Sequence, residues 1–237
     1  MLKRTTLRLL ILPLVLSLCF FFLSLALQAQ AAGVPYKKLE KIQRFYRNLT
    51  SLTFDFQQIT NSNGRTRKGA GSSTFYRSSL TADGIMRWDY SKPGKQIILN
   101  DGKELSVYTQ KDKQLIIMSA KKLQADITYS FFIGQHDLKD DFKILPKDRR
   151  FARKTNAQTD IAVQLIPKHP DGQIKALHFW FDKDKKIQRL IMEDHFETAT
   201  ELIFHNVRFN ALPVNSSKIV AELIRLNIPP NTEIMRQ

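Results

Sequence analysis

Cysteine is nearly absent from this chain. The single residue, Cys19, lies inside the apolar segment Leu9 to Leu27, and Leu18 precedes it where a lipid-attachment site needs a small residue. If the N-terminal segment is removed during export, the mature protein has no thiol. It then has no disulfide and no thiol nucleophile, although an oxidising compartment would permit disulfides, and its stability must come from one apolar core.

Motifs of the common enzyme classes are also missing. The five histidines are scattered, and no G-x-S-x-G sequence is present. The one acidic cluster with a histidine, Glu193-Asp194-His195, lacks the helical two-histidine spacing of a zinc protease, so a surface ion group is the simpler interpretation. We therefore expect no enzyme activity, no cofactor and no metal site. A small hydrolase is the alternative, and it would need a convergent polar site that the sequence does not show.

Acidic residues are fewer than basic ones. The chain has 22 Asp and Glu against 37 Lys and Arg, a net charge of +15, and removal of Lys3, Arg4 and Arg8 would leave +12. A basic protein can bind nucleic acid, anionic membrane surfaces or acidic partners. We expect no binding of nucleic acid, because an exported protein does not meet it and because the sequence has no nucleic-acid motif. The simplest interpretation of the excess positive charge is that it keeps the protein surface solvated. The functional interpretation is that it attracts the protein to anionic lipid headgroups.

The N-terminus has the three regions of a secretory signal peptide. A short basic region is followed by the apolar run Leu9 to Leu27 and by the small-x-small pattern Ala29-Gln30-Ala31. We predict that residues 1–31 are a signal peptide, cleaved after Ala31 or Ala32, and that residues 32–237 form one domain. The alternative is an uncleaved anchor, because the apolar run approaches the length that spans a bilayer.

Strict alternation marks the segment Gly84 to Tyr108 as a set of short strands. The aromatic side of its first strand carries Met86, Trp88 and Tyr90, and the charged side carries Arg87 and Asp89. Lys92-Pro93-Gly94 predicts a turn, and Asn100-Asp101-Gly102 predicts a hairpin with two central residues at positive φ. Upstream, Leu52, Phe54 and Phe56 alternate in the same way. Gly69-Ala70-Gly71 lacks the lysine of a phosphate loop and predicts a strand that another backbone or a ligand approaches closely.

Helical spacing occurs in two places. Pro35 to Leu49 places apolar residues three and four apart, which predicts a helix that packs on a sheet or covers a cavity. Ala120 to Ile133 shows the same period and stops before Gly134. The second half predicts four further strands, over Asp160 to Pro167, Ile174 to Asp182, Lys186 to Asp194 and Thr200 to Phe209. Since Leu177 to Phe181 is bulky on both sides, we expect this sheet to be covered on both faces, or to face something apolar that is not protein.

The order of these elements resembles the LolA family of periplasmic outer-membrane lipoprotein carriers. The resemblance lies in the Phe56-Gln57-Gln58 strand, the glycine-rich strand, the Arg87-Trp88-Asp89-Tyr90 strand with its two following turns, and the ending Leu226 to Ile234 with Pro229-Pro230. It implies an α+β fold, an incomplete antiparallel β-barrel of about ten strands that is closed by helices over an apolar cavity.

The resemblance also implies a function. Such a protein would be a monomeric periplasmic chaperone that binds lipoprotein acyl chains in its cavity. It would accept them from an ATP-driven release complex of the inner membrane and deliver them to an outer-membrane receptor. The alternative is a lipid- or lipoprotein-sensing module of the same fold that signals to a membrane partner.

The resemblance further implies site residues. We expect a set of aromatic side chains to line or close the acyl-chain cavity: Phe54, Phe56, Trp88, Tyr90, Phe131, Phe132 and Trp180. Arg77 lies where the family carries an arginine that ties its helical lid to the barrel, although Ser78 stands where the family usually has proline. Arg87 matches another common family position and is the second lid-closing candidate.

Overall fold

The computed structural model describes residues 36–81, 84–120, 137–151, 159–169 and 173–237. The predicted signal peptide lies outside the described residues, and so do residues 121–133 of the predicted second helix, which include Phe131 and Phe132.

The described chain consists mostly of strands. Helix α1 covers 36–47, in agreement with the predicted first helix. The strands are β1 Ser51–Ser62, β2 Arg65–Tyr76, β3 Ile85–Lys92, β4 Gln96–Asn100, β5 Glu104–Thr109, β6 Gln114–Ser119, β7 Phe142–Pro146, β8 Thr159–Pro167, β9 Ile174–Asp182, β10 Ile187–Asp194, β11 Ala199–Phe209 and β12 Glu233–Arg236. Helix α2, Leu138–Asp141, precedes β7; a 3-10 turn, Arg149–Phe151, follows β7; and helix α3, Ser217–Ile224, follows β11.

All twelve strands form one open, curled sheet. Its order is β12-β6-β5-β4-β3-β2-β1-β11-β10-β9-β8-β7, so β12 and β7 are its two edges. The sheet therefore has twelve strands rather than about ten, and it is not wholly antiparallel, because β12 pairs in parallel with β6. This parallel pair needs no short crossover, since β12 returns from the far end of the chain. Closure of a cavity by helices is not shown by the described residues and stays a prediction.

The turns follow from their residues. Asn63 and Gly64 both have positive φ, 49° and 72°, which suits the two-residue turn between β1 and β2. The β4–β5 hairpin is present, but the prediction of a two-residue primed turn is wrong, because only Gly102 has positive φ. The loop is longer because the Asp101 carboxylate accepts the backbone N–H groups of Lys103 and Glu104, each at 2.8 Å.

Gly71 confirms the predicted close approach of another backbone. A Cβ atom at this position would lie 2.1 Å from the carbonyl oxygen of Asp89 on the neighbouring strand β3. The glycine therefore permits the β2–β3 pairing that places Trp88 and Tyr90 beside β1.

The larger core lies on one face of the sheet, beneath α1. Leu39, Ile42 and Tyr46 of α1 are buried against it. The Tyr46 hydroxyl donates to Lys185 O at 3.0 Å and accepts from Ile187 N at 3.1 Å, which joins α1 to the β9–β10 turn. We call this face the aromatic face, because Phe54, Phe56 and Trp88 lie on it.

A second core lies on the opposite face, so the expectation of a single core is corrected. It is built by buried residues of β3 to β6, and α3 with the segment after it covers this cluster through Val220, Leu223, Leu226 and Ile228. The Ser216 hydroxyl caps α3 by accepting from Ile219 N. Burial of every residue from Ala176 to Phe181 of β9 shows that its two faces are both covered, as the sequence predicts.

Candidate functional site: an apolar sheet face

Four of the predicted cavity residues come together on the aromatic face. Phe54 and Phe56 of β1 are buried, and Trp88 and Tyr90 of β3 are partly buried. Their rings meet edge to face, with centroid distances of 5.4 Å for Phe54–Trp88, 4.8 Å for Phe56–Trp88 and 4.9 Å for Phe56–Tyr90. This geometry is the favourable one for aromatic pairs. The cluster is therefore a packed support on one side and a partly open aromatic surface on the other.

Tyr90 ends the cluster with a polar contact. Its hydroxyl donates to Gln58 Oε1 at 2.8 Å, and burial raises the pKa of this hydroxyl above its ordinary value. Tyr90 therefore stays neutral at physiological pH and presents an apolar ring beside a fixed hydrogen bond.

The apolar surface continues across the sheet in register. Residues that face one another on successive strands form a line that we call the apolar row: Trp88, Ile98, Val107, Ile116 and Met235. Each member is partly buried. Five strands at ordinary spacing give the row a length of about 19 Å. It carries no charged side chain, so it can hold an extended apolar ligand but offers no group for chemical catalysis.

Sequence reasoning missed the last four members of the apolar row. The pattern that could have found them is the apolar character of β6 on both sides, where Leu115 and Ile117 alternate with Ile116 and Met118. Leu115 and Ile117 are buried on the opposite face beneath the α3 segment, and Ile116 and Met118 are partly buried on the aromatic face. Alternation shows that two apolar faces exist, but only the sheet register shows which residues join Trp88.

Trp180 lies apart from this cluster. On β9, Phe179 and Phe181 belong to the core of the aromatic face, so Trp180, which lies between them, points to the opposite face. There the Trp180 ring stacks with His178 at 6.2 Å, and the Arg189 guanidinium lies 4.4 Å from its centroid. Because β9 is bulky on both sides, periodicity alone could not assign Trp180 to a face.

Arg77 joins β2 to the end of α1. Its guanidinium donates to the carbonyl oxygens of Arg47 and Leu49, the second at 2.8 Å, and lies 5.1 Å from the centroid of the Phe75 ring. Burial lowers the pKa of Arg77 from its ordinary value, but the group remains a cation. A cation at the C-terminal end of a helix is electrostatically favourable, so this contact holds α1 against the sheet.

Arg87 makes the equivalent contact to a different helix. It forms two bonds to the Asp89 carboxylate, at 2.7 and 2.9 Å, and donates to Leu223 O and Arg225 O at the end of α3, each at 2.8 Å. Arg87 is therefore on the face opposite the apolar row. The two arginines that the sequence grouped together act on opposite faces of the sheet.

The predicted surface ion group at Glu193-Asp194-His195 needs correction. Glu193 is buried and bonds His178 Nε2 at 2.8 Å, and Arg150 donates to the same carboxylate at 3.1 and 3.2 Å. Glu193 thus ties the 3-10 turn to β9, whereas His195 is exposed. In the part of the chain that the structure describes, no three His, Cys, Asp or Glu side chains are grouped so that they could hold a metal ion.

An open groove of about 810 Å³ runs along the opposite face near β1 to β3. Its lining includes Asp55, Gln57, Ser72, Asp89 and Lys95. The lining also includes the rings of Phe56 and Tyr90, but its charged side chains make it less suitable for an acyl chain than the apolar row, which has none. The apolar row is therefore the candidate binding surface.

The sequence of this chain is similar to the sequences of a known protein family. Residues 47–217 match the family described as outer membrane lipoprotein carrier protein LolA. The chain belongs to the LolA family.

Similar proteins include two outer-membrane lipoprotein carrier proteins. The chain is 24% identical to one from Nitrosomonas europaea over 94% of its own length and 96% of the relative's. It is 28% identical to one from Methylococcus capsulatus, with 84% and 86% covered. The crystal structure of a LolA superfamily protein from Nitrosomonas europaea overlaps 75% of this chain and 94% of that chain, at 14% identity and a TM-score of 0.37. At this score the structural likeness adds nothing to the LolA assignment, which rests on the match to the family.

No helix among the described residues of this LolA-family chain is both long and apolar enough to cross a membrane.

Proposed function

We propose that this LolA-family protein binds the acyl chains of lipoproteins on its apolar row and carries them through the periplasm. It would receive them from an ATP-driven release complex in the inner membrane and deliver them to an outer-membrane receptor. The observation that carries the proposal is the uncharged, partly exposed row from Trp88 to Met235, which is supported from one side by the packed rings of Phe54 and Phe56.

The physical need for such a surface comes from water. Transfer of an acyl chain from an apolar environment into water costs about 0.8 kcal/mol of free energy for each CH₂ group. A lipoprotein therefore cannot cross an aqueous compartment unaided. A row of Trp, Ile, Val and Met side chains offsets this loss without hydrogen bonds. Binding of this kind does not depend on the amino-acid sequence of the cargo, as a general carrier requires.

Release of the cargo requires that binding also has a free-energy cost. We propose that α1, held by Arg77, helps to close the aromatic face in the empty protein and moves when acyl chains enter, and that Phe131 and Phe132 line or close the same space. Opening would then break the contacts of Arg77 with Arg47 O and Leu49 O. A ligand that must open a closed state binds with reduced apparent affinity, which allows the cargo to pass to a receptor that binds it more tightly.

The test is binding of a fluorescent fatty acid to the purified protein. Ile98→Glu places a charge in the middle of the apolar row, and we expect the affinity for the probe to fall at least about tenfold, because a carboxylate must then be desolvated. Ile234→Glu is the matched control, since this residue is on β12 of the same sheet, points to the opposite face and is 58% exposed. Circular dichroism would establish that both variants fold.

Two outcomes would contradict the proposal. The first is no binding of the probe to the wild-type protein, and the second is equal loss of binding in both variants. Transfer of a co-purified acylated protein to outer-membrane vesicles then tests carriage itself, because a protein that only senses lipids would retain its ligand.

A further inference from the structure

The turns at one end of the sheet carry an unusual concentration of positive charge. Strand order makes the β5–β6, β3–β4 and β1–β2 turns neighbours at this end, and the β10–β11 turn lies next to them. Seven exposed cations occupy the first three turns and their flanks, and we call them the basic edge: Arg65, Arg67, Lys68, Lys92, Lys95, Lys111 and Lys113. None of the seven forms an ion pair with another described residue.

The acidic groups at this end do not balance the basic edge. Asp112 lies within the β5–β6 turn, and Glu233 accepts from Gln114 Nε2 at the start of β12. In the β10–β11 turn, the Asp194 carboxylate accepts the N–H groups of Phe196 and Thr198, each at 2.8 Å, and Glu197 is exposed. The opposite end of the sheet differs, because its turns mix both signs, as in Asp101 with Lys103.

An exposed aromatic ring stands beside these cations. Phe196, at the tip of the β10–β11 turn, is 76% exposed. A hydrogen bond of 3.1 Å between the hydroxyls of Ser62 and Thr198 fixes this turn against the β1–β2 hairpin that carries Arg65 and Arg67. A large apolar side chain in water next to unpaired cations is the combination that adsorbs to the interface of an anionic bilayer.

We propose that the basic edge and Phe196 form a docking surface for anionic phospholipid membranes. The cations bind headgroup phosphates, and the Phe196 ring enters the headgroup layer. Lipid suits this surface better than an acidic protein, because the cations are spread over separate turns on long, unpaired side chains and Phe196 protrudes, which a deformable lipid surface accepts. The apolar row begins close by, since its first member, Trp88, is on the same strand as Lys92, so docking would bring the acyl-binding face to the membrane.

The experiment is co-sedimentation of the protein with phosphatidylcholine vesicles that contain or lack phosphatidylglycerol. We expect binding only to the anionic vesicles, and weaker binding at high salt. The triple variant R65Q/R67Q/K68Q should bind about a hundredfold more weakly, from about fivefold for each cation near a charged surface. The variant K103Q/K183Q/K218Q removes the same charge from exposed positions elsewhere and should bind as the wild type does.

A second pair of variants tests the ring. Phe196→Ser should weaken binding roughly tenfold, because an apolar side chain no longer leaves water. Val214→Ser changes another exposed apolar residue, 59% exposed, and should have no effect.

Three results would overturn the membrane proposal. They are no binding to anionic vesicles, equal loss in the two triple variants, and unchanged binding of the basic-edge variant. If vesicles do not bind but the basic-edge variant still slows delivery of a lipoprotein to its receptor, the surface belongs to a protein partner instead. Binding of the fatty-acid probe does not depend on this surface, so failure here is distinguishable from failure of the proposed carrier function.

Discussion

At the scale of single residues, the absence of a side chain at Gly71 allows the strands of the aromatic face to pair. Gly71 matters because β2 and β3 approach so closely there that any side chain would meet the Asp89 carbonyl. The sequence predicted this close approach from two glycines in a strand, and the structure confirms it at Gly71.

Gly71→Ala should destabilise the protein by about 1–3 kcal/mol, because the added Cβ must push β3 away. Urea denaturation would measure this change in the free energy of unfolding. Gly94→Ala is the control, because a Cβ atom there meets nothing within 4 Å. Equal stability of the two variants would show that β2 and β3 are not packed as described.

His178 gives a prediction about pH. Burial lowers its pKa despite the neighbouring Glu193, so the folded state binds a proton less readily than the unfolded chain. The groups that face it are Glu193, Asp148, Arg150, and the rings of Phe151 and Trp180. Its contribution to stability is therefore complete above the unfolded pKa of about 6.5 and is lost as the pH falls through the lower folded value.

The measurement is the free energy of unfolding of His178→Gln and wild type between neutral and mildly acidic pH. We expect the variant to lose less stability than the wild type on acidification, since the glutamine cannot be protonated. His205→Gln changes an exposed histidine and should follow the wild type. A His205→Gln profile as flat as that of His178→Gln would argue against this origin of the pH dependence.

At the scale of elements, two helices are attached to two faces of the sheet by the same device. An arginine on a strand, or directly after one, donates to carbonyl oxygens at the C-terminal end of a helix: Arg77 to α1 and Arg87 to α3. These carbonyls have no partner inside their own helix, so the arginines satisfy them and fix the helix ends. The sequence could single out both arginines, but it could not show that they face opposite ways.

Arg87→Lys should loosen α3, because an ammonium group cannot contact both Asp89 oxygens and two carbonyl oxygens. We expect amide hydrogen exchange in α3 to become about tenfold faster, which corresponds to about 1.4 kcal/mol. Exchange in α1 should not change. Arg225→Lys, an exposed position at the end of α3, is the control. Faster exchange in both helices would mean that the variant loosens the whole sheet.

At the scale of the whole molecule, one open sheet separates the two cores and presents its apolar row on the face that α1 partly covers. The positive charge is collected at one end of the same sheet. Cargo binding and membrane docking therefore occupy neighbouring parts of one rigid element, in the function that we propose.

Export makes a separate prediction. The mass of the protein recovered from the periplasm should correspond to a chain that begins at residue 32 or 33, because the basic, apolar and small-residue regions match a signal-peptidase site. Intact mass spectrometry measures this directly. A mass that retains Met1 would show that the segment is kept as an anchor.

The sequence by itself determined most strands, the first helix and the family, because alternation, helical spacing and turn residues are local properties that the chain carries wherever it folds. Only the tertiary structure decided which apolar residues share a face. The row from Trp88 to Met235 joins strands that are far apart in sequence, and β9 is bulky on both sides, so periodicity could not separate Trp180 from Phe179. Register is set by pairing between distant segments, and no local pattern encodes it.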